Sequence, residues 1–478
     1  MSVRKVVVAP GDGVGPEITQ AVLSILRAAQ VPLEWETVEL GQKVYERGET
    51  SGVPPGTWEL LRKYPVLLKG PITTPQGKGF KSVNVTLRKT LHLFANVRPT
   101  KAYTPCVSSL HPGLDLVIVR ENEEDLYAGI EHRQTQEVYQ AIKIISRPGC
   151  EKIVRYAFEY ARAYGRRKVT CMTKDNIMKG TDGLFHEVFD EVAREYPDLQ
   201  SEHLIIDIGA ARLAATPERF DVIVTLNLYG DILSDIAAQL SGSVGLASSA
   251  NIGEHAAMFE AVHGSAPDIA GRGIANPSGL LLAAVQMLVH VGLAEYAERI
   301  QNAWLCALED GIHTPDIFRE SLSVREVGTE EFAAAVVERL GKIPQLLRPV
   351  AFRAHPIRVQ TGLRRQLKRL VGVDVFLHWD EANRSAAVLG ERLAALAAGD
   401  LSLVLITNRG VKVYPGGNPE TWCTDHWRCR FRSRAELLSY AAVLELLGRL
   451  HEAGFEVIKT ENLYTFDGQP GFSLGQGE

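Results

Sequence analysis

Short β-branched runs alternate with helix-period stretches along the first two thirds of the chain, and this alternation constrains the fold more than any other feature. "VVVAP" (6–10) reads as a strand, and "EITQAVLSILRAAQ" (17–30) follows as a helix with Pro16 at its first position. "YPVLLKGP" (64–71), "LDLVIVREN" (114–122), "RKVTCMTKDN" (167–176) and "FDVIVTLNLYGD" (220–231) read as further strands. Helical stretches such as 150–165 and 183–197 lie between them, and 276–292 is apolar on all sides, as a buried helix is. This order predicts an α/β fold with a largely parallel sheet. At 478 residues and 45% hydrophobic content the chain suits roughly two to four domains.

Composition shifts at 341–360, where prolines and basic residues suit a linker. Beyond it the pattern reads strand (373–379), helix (386–398), strands (401–407, 411–414, 426–432), helix (434–453), strand (455–463), with "TNRG" (407–410) as a hairpin turn. That order predicts a small ferredoxin-like α+β domain. "TDHWRCRFRSR" (424–434) mixes arginines with aromatics. It suits anion, nucleotide or RNA contact, or else a strand with a buried aromatic face and an exposed basic one, which is the expectation. The balance of 57 acidic against 52 basic residues does not point to nucleic acid. No apolar run reaches the ~18 residues of a membrane span. Six cysteines without a CxxC pair, and no leader pattern before the first strand, predict reduced thiols in a cytoplasmic protein.

Four groups of residues carry candidate chemistry. Asp231 and Asp235 in "NLYGDILSD" are four apart and share a helix face. They suit a hard cation, or simply complement the helix dipole. Arg88, Arg98 and Arg120 stand near element ends, with Ser82 and Asn84 alternating on an extended segment, and together suggest a polycarboxylate. Lys174 and Tyr127 could move protons if their pKa values are tuned. The loop 260–277 is rich in glycine and proline, and its Asp268 could bond ribose hydroxyls.

In this order "GDGVGPE", "VRP", "REN", "NLYGDILSD", "ANIGE" and "HGSAPDIAG…ANP" resemble the β-decarboxylating dehydrogenases of 2-hydroxy acids, over about residues 3–335. That family includes isocitrate, 3-isopropylmalate and homoisocitrate dehydrogenases. "KSVNVTLRK" and "DLYAGIE" are similar to the isocitrate-specific members, and the tail to the C-terminal domain of longer ones. The resemblance implies the family's two-domain α/β fold. Its large cofactor-side domain would be 1–97 with 243–340, and its small domain, with dimer contacts and metal ligands, 98–242. A linker at 341–360 and an α+β domain at 361–478 would follow. A Rossmann turn is not expected, since a strict G-x-G-x-x-G from Gly11 needs glycine where Pro16 stands. Gly11, Gly13 and Gly15 would instead permit a tight turn near the nicotinamide end.

The resemblance also implies the site. Ser82, Asn84, Arg88, Arg98, Arg120 and Asn176 would bind isocitrate, and Tyr127 and Lys174 would be the acid–base pair. Asp207, Asp231 and Asp235 would hold Mg²⁺ or Mn²⁺. His263, Gly264, Ser265, Ala266, Asp268, Ile269 and Asn276 would bind the coenzyme. A carboxylate at Asp268 would repel a 2′-phosphate, so NAD is expected. Lys174 and Asp207 would come from the neighbouring subunit of a homodimer or larger assembly. The expectation is an NAD-dependent isocitrate dehydrogenase. The alternatives are a homoisocitrate or 3-isopropylmalate dehydrogenase, a non-catalytic regulatory subunit, or an RNA-binding protein.

Overall fold

The computed structural model describes residues 4–75, 81–353, 357–359, 362, 365–397, 399–435 and 438–475. Parts of the expected linker, residues 354–356 and 360, lie outside them. The chain divides into two compact units, Met1–Tyr127 with Ile144–Thr361 and Ala128–Lys143 with Gly362–Glu478.

The first unit is built on a ten-stranded sheet. Its strands are β1 (Arg4–Ala9), β2 (Leu33–Thr37), β3 (Val66–Lys69), β4 (Ala95–Lys101), β5 (Asp115–Glu121), β6 (Lys168–Thr173), β7 (Gln200–Ile205), β8 (Val222–Thr225), β9 (Ser248–Ile252) and β10 (Ala257–Ala261). They lie in the order β2-β1-β3-β10-β9-β4-β5-β8-β6-β7. The outer ladders are parallel, as the strand–helix alternation requires. The three central ladders, β10–β9, β9–β4 and β4–β5, are antiparallel. The connection from β9 to β10 is too short for a parallel crossover, so this pair must form a hairpin.

Helix Gly15–Ala28 carries Pro16 in its first turn and buries Ile18, Val22, Ile25 and Leu26. Helix Ser278–His290 is buried along most of its length. Two local expectations change. The run 220–231 is not one strand: it ends at Thr225, and a helix begins at Asn227 and runs to Leu240. That helix lacks a cap of its own, and its Leu228 N–H donates to Asp125 Oδ2 at 2.9 Å. The signal that starts the helix therefore lies about a hundred residues upstream. Ser82 and Asn84 are not on an extended segment either. Ser82 is the N-cap of helix Val83–Thr90, where its hydroxyl accepts from the Val85 N–H.

The second unit carries an antiparallel sheet of β11 (Lys368–His378), β12 (Leu401–Asn408), β13 (Val411–Tyr414), β14 (His426–Ser433), β15 (Glu456–Phe466) and β16 (Gln469–Pro470). Their order is β13-β12-β14-β11-β15-β16, with helices Ala386–Leu396 and Tyr440–Glu452 in the two crossovers. The inner order β15-β11-β14-β12 is the ferredoxin-like arrangement. Arg409 and Gly410 both have positive φ in the β12–β13 turn. The second helix starts at Tyr440 rather than 434, capped by Ser439.

Trp427, Cys429 and Phe431 of β14 are buried. The opposite, basic face is not simply exposed. The β-register sets Asp374 opposite Arg430, and Arg430 is fully buried, donating through Nε (2.8 Å) and Nη2 (3.0 Å) to Asp374. Arg428 Nε donates to the same carboxylate at 2.6 Å. Residues 128–143, within the expected small domain, group with this unit. They form a hairpin of Glu131–Arg133 and Tyr139–Ala141, held where Thr135 donates to Asp425 and Arg384 donates to Glu137. No helix among the described residues is long and apolar enough to cross a membrane, and all six cysteines are free.

Asp374→Asn should remove the carboxylate charge that faces the buried Arg430 and Arg428 in the second unit, at a cost of about 3–5 kcal/mol. Urea unfolding of the full chain should show a transition moved to lower denaturant. An unmoved transition would show the pair to be dispensable.

Candidate active site

The centre of the first unit gathers arginines around one carboxylate. Asp231 lies on the first turns of helix Asn227–Leu240 and takes a hydrogen bond from Arg120 Nη1. The Tyr127 hydroxyl donates to its other oxygen at 2.5 Å. Arg98 Nη1 lies 3.4 Å from Asp231 and 3.7 Å from Asp235. Arg120 projects from the buried end of β5, donates to Asn227 Oδ1 and stacks over the Tyr127 ring. Arg98 comes from β4 and Arg88 from the buried face of helix Val83–Thr90.

Each charge is tuned by its neighbours. Burial pushes the Asp231 carboxyl up, but Arg120, Arg98 and the Tyr127 hydroxyl outweigh it and hold the pKa below the usual range. Asp235 moves the other way, because burial dominates the pull of Arg98. Burial and the charges of Arg98 and Arg88 lower Arg120 to about 10. Burial raises Tyr127 and keeps it a proton donor, against the opposing charge of Arg120. Arg88 donates through Nη2 to Glu260 at 2.9 Å, while its Nε is buried without a partner, as is Asn84 Oδ1. Such orphans are rare: the Arg88 Nε lacks an acceptor and the Asn84 oxygen lacks a donor.

Lys174 and Asp207 stand apart from this cluster. Lys174 Nζ is 3.1 Å from Asp207, whose pKa the lysine lowers by hydrogen bonding, and its N–H donates to Asp182. Asn176 is exposed. Among the described residues Asp207 does not converge with Asp231 and Asp235 into a set of ligands. Asp175, His186 and His203 do come together, but the two imidazoles stack 3.5 Å apart at 16°. Their in-plane lone pairs run side by side rather than meeting at one point.

The expected coenzyme loop follows β10. Burial keeps His263 neutral, and its Nε2 is buried without a partner. Ser265 accepts from Thr73 Oγ1 at 2.8 Å, and its carbonyl accepts from Val14 N–H at 2.9 Å. Gly13 sits at φ +57°, where a Cβ would lie 1.9 Å from that carbonyl oxygen. The glycine-rich turn thus packs backbone to backbone on the loop 264–266. Asn276 donates to Asp316 at 3.0 Å, while Asp268 is exposed and Ile269 half-buried. Arg319, three residues beyond the Asp316 that Asn276 bonds, is an exposed cation that the sequence reading did not single out. Lys69 and Glu260 were missed too, although each is a lone charge in an apolar run ("VLLKG", "AMFEAV"), which must find a buried partner.

The isocitrate/isopropylmalate dehydrogenase family matches residues 5–336, and the bacterial isocitrate dehydrogenase C-terminal domain matches 368–478. A Rickettsia bellii protein named isocitrate dehydrogenase [NADP] is 53% identical over 99% of both chains. A Thermus thermophilus protein of the same name is 46% identical over 99% of this chain and 96% of its own. A crystal structure of a Thermus thermophilus protein superposes with a TM-score of 0.91 at 46% identity, over 99% of this chain and 96% of that one. A Saccharomyces cerevisiae protein named isocitrate dehydrogenase [NAD] subunit 2 is 46% identical over 69% of this chain and 88% of its own. The expectation of an NAD-dependent enzyme is therefore corrected, because the relatives that match over the full length are named for NADP. The carboxylate on which it rested is exposed, and a single exposed charge does not set the environment of a 2′-phosphate.

Glu121, beside Arg120, is pushed up to about 8 by burial, against backbone N–H groups of Glu123 and Glu124 and with the repulsion of their carboxylates. Its folded pKa lies above the ordinary 4.5, so the stability tied to it is full below that value and lost as pH rises through about 8. The melting temperature of the natural protein should therefore fall more between about pH 5 and about pH 9 than that of Glu121→Gln. Parallel profiles would contradict the shift.

Proposed function

The chain belongs to the isocitrate/isopropylmalate dehydrogenase family, in the long form with the bacterial C-terminal domain, and we propose that it oxidatively decarboxylates isocitrate with NADP. The observation that carries the reading is the set of Arg88, Arg98 and Arg120 around Asp231, with Arg88 Nε buried and unmet. Three fixed cations suit a tricarboxylate, and Ser82 and Asn84 at the start of the Arg88 helix add neutral polar groups.

Asp231 and Asp235 fit a hard divalent ion. Both are oxygen donors one helical turn apart, and Asp235 is a partly desolvated carboxylate that a cation would relieve. Bound there, with Asp207 of a neighbouring copy, Mg²⁺ or Mn²⁺ would supply Lewis acidity at the 2-hydroxyl. The coenzyme supplies the hydride acceptor. The arginines hold the substrate carboxylates in one pose. Lys174 takes the hydroxyl proton. Once CO₂ has left, Tyr127 returns a proton to the enol carbon, giving 2-oxoglutarate. His263, Asn276 and the backbone of Gly264, Ser265 and Ala266 would line the adenosine side; the relatives named for NADP support that coenzyme, and Arg319, three residues beyond the Asp316 that Asn276 bonds, is the candidate cation for its 2′-phosphate. Lys174 and Asp207 are paired with each other away from Asp231, and exposed apolar side chains (Ile177, Ile208, Ile232) flank them and Asp231. This supports a homodimer in which each copy completes the other's site.

Purified protein with Mg²⁺ and NADP should form NADPH from isocitrate and much less from 3-isopropylmalate or homoisocitrate. Chelator or Asp231→Asn should abolish it. Turnover that survives both would refute the metal site, and a preference for either other acid would refute the substrate. Arg319→Ala should raise the KM for NADP about tenfold with little change for isocitrate. An unchanged NADP KM would remove Arg319 from the coenzyme site.

A further inference from the structure

A row of buried amides stands behind the arginines. The β-register pairs Asn251 on β9 with Asn96 on β4, and Asn96 with Arg120 on β5. Asn251 Oδ1 accepts from Asn96 Nδ2 (2.6 Å) and Asn122 Nδ2 (3.0 Å). Its Nδ2 donates to the Met258 carbonyl (3.2 Å) and to Glu260 Oε1 (2.9 Å). An amide has two donors and two lone pairs, and Asn251 uses all four. Turned end over end it would set donor against donor, so its orientation is fixed.

That orientation fixes the next residue. Asn96 Nδ2 is committed to Asn251 and to Ser249 Oγ (2.8 Å), so Asn96 Oδ1 must face the other way, where it accepts from Arg98 Nε at 2.8 Å. Ser234 Oγ takes Arg98 Nη1 at 2.5 Å. Two anchors at different nitrogens define the plane of a guanidinium, and Nη2 carries no hydrogen bond among the described residues. Without the Nε anchor, Asp231 and Asp235, already 3.4 and 3.7 Å away, would draw the guanidinium into a two-pronged pair.

We propose that Asn96 and Asn251 are positioning residues that lock Arg98 in plane, keep it from closing on Asp231 and leave Nη2 turned to a substrate carboxylate. Neither touches substrate. The inference rests on the proposed reading of Arg98 as an isocitrate ligand. The chain of bonds starts at Glu260, whose charge orients the Asn251 amide, so the same anion that holds Arg88 also sets the angle of Arg98.

The test uses full-length Asn251→Asp, which keeps the size but loses both donors and faces Glu260, and Asn96→Ser, which withdraws the acceptor from Arg98. Each should raise the isocitrate KM about tenfold or more, with the NADP KM within about twofold. Isocitrate affinity measured by fluorescence titration without coenzyme should weaken in step. The double variant should be little worse than Asn96→Ser alone, because both act through one guanidinium. Unchanged isocitrate affinity in folded variants, or equal rises for both substrates, would overturn the proposal and leave the row a matter of stability. If Asn251→Asp does not fold, Asn96→Ser decides. A natural protein that does not turn over isocitrate refutes the proposed function; an active one with unaltered variants refutes only the positioning.

Discussion

Glu260 between Lys69 and Arg88 is the interaction on which the arginine cluster depends. Burial alone would drive this carboxyl to its neutral form. Lys69 at 2.7 Å and Arg88 at 2.9 Å outweigh the burial and hold its pKa well below the usual range. Two buried cations against one buried anion leave one positive charge unmatched. That charge is expressed at Arg88, whose Nε is the buried donor without a partner. The protein thus keeps a cation under-satisfied by surrounding it with structure that can neither neutralise it nor let it leave. An unmet positive charge is stored in the fold as an incomplete ion network.

Much of this arrangement was legible in the sequence, and the parts that were not share a cause. Periodicity located helices 15–28 and 278–290 and the ferredoxin-like order of the tail, because those signals are local. The break at Thr225 was not visible, because the bond that starts the next helix comes from Asp125. Ser82 was read for its hydroxyl and not as an N-cap. The arginines stood out by type, whereas Asn96 and Asn251 did not, since an asparagine inside a strand announces neither its partners nor its orientation. Asp207 rested on resemblance alone, and so did the placing of Lys174 in a neighbouring subunit.

The second unit makes the same point with opposite sign. An arginine-rich strand suggests a surface for anions, yet strand pairing sets Asp374 opposite Arg430 and turns that charge inward. The coenzyme reading failed in the same way. A carboxylate at Asp268 is persuasive in a string of letters, but it is exposed, and the full-length relatives are named for NADP. Charges in a sequence become fields only when topology says which of them share a space.

Gly13 and Ser265 divide the coenzyme loop into two parts with different freedoms. Where the two backbones meet, no side-chain atom fits between them, so the path of the loop is set by the first turn of the chain. Beyond Ala266 the chain emerges at Asp268, which is free of that constraint, while Ile269 turns back against the core. Surface chemistry is thereby separated from loop shape: the exposed Asp268 side chain can be exchanged while the backbone of 264–266 stays where the first turn holds it. A loop built this way can change the charge it shows to solvent by substitution at its free end, without moving the backbone that rests on the first turn.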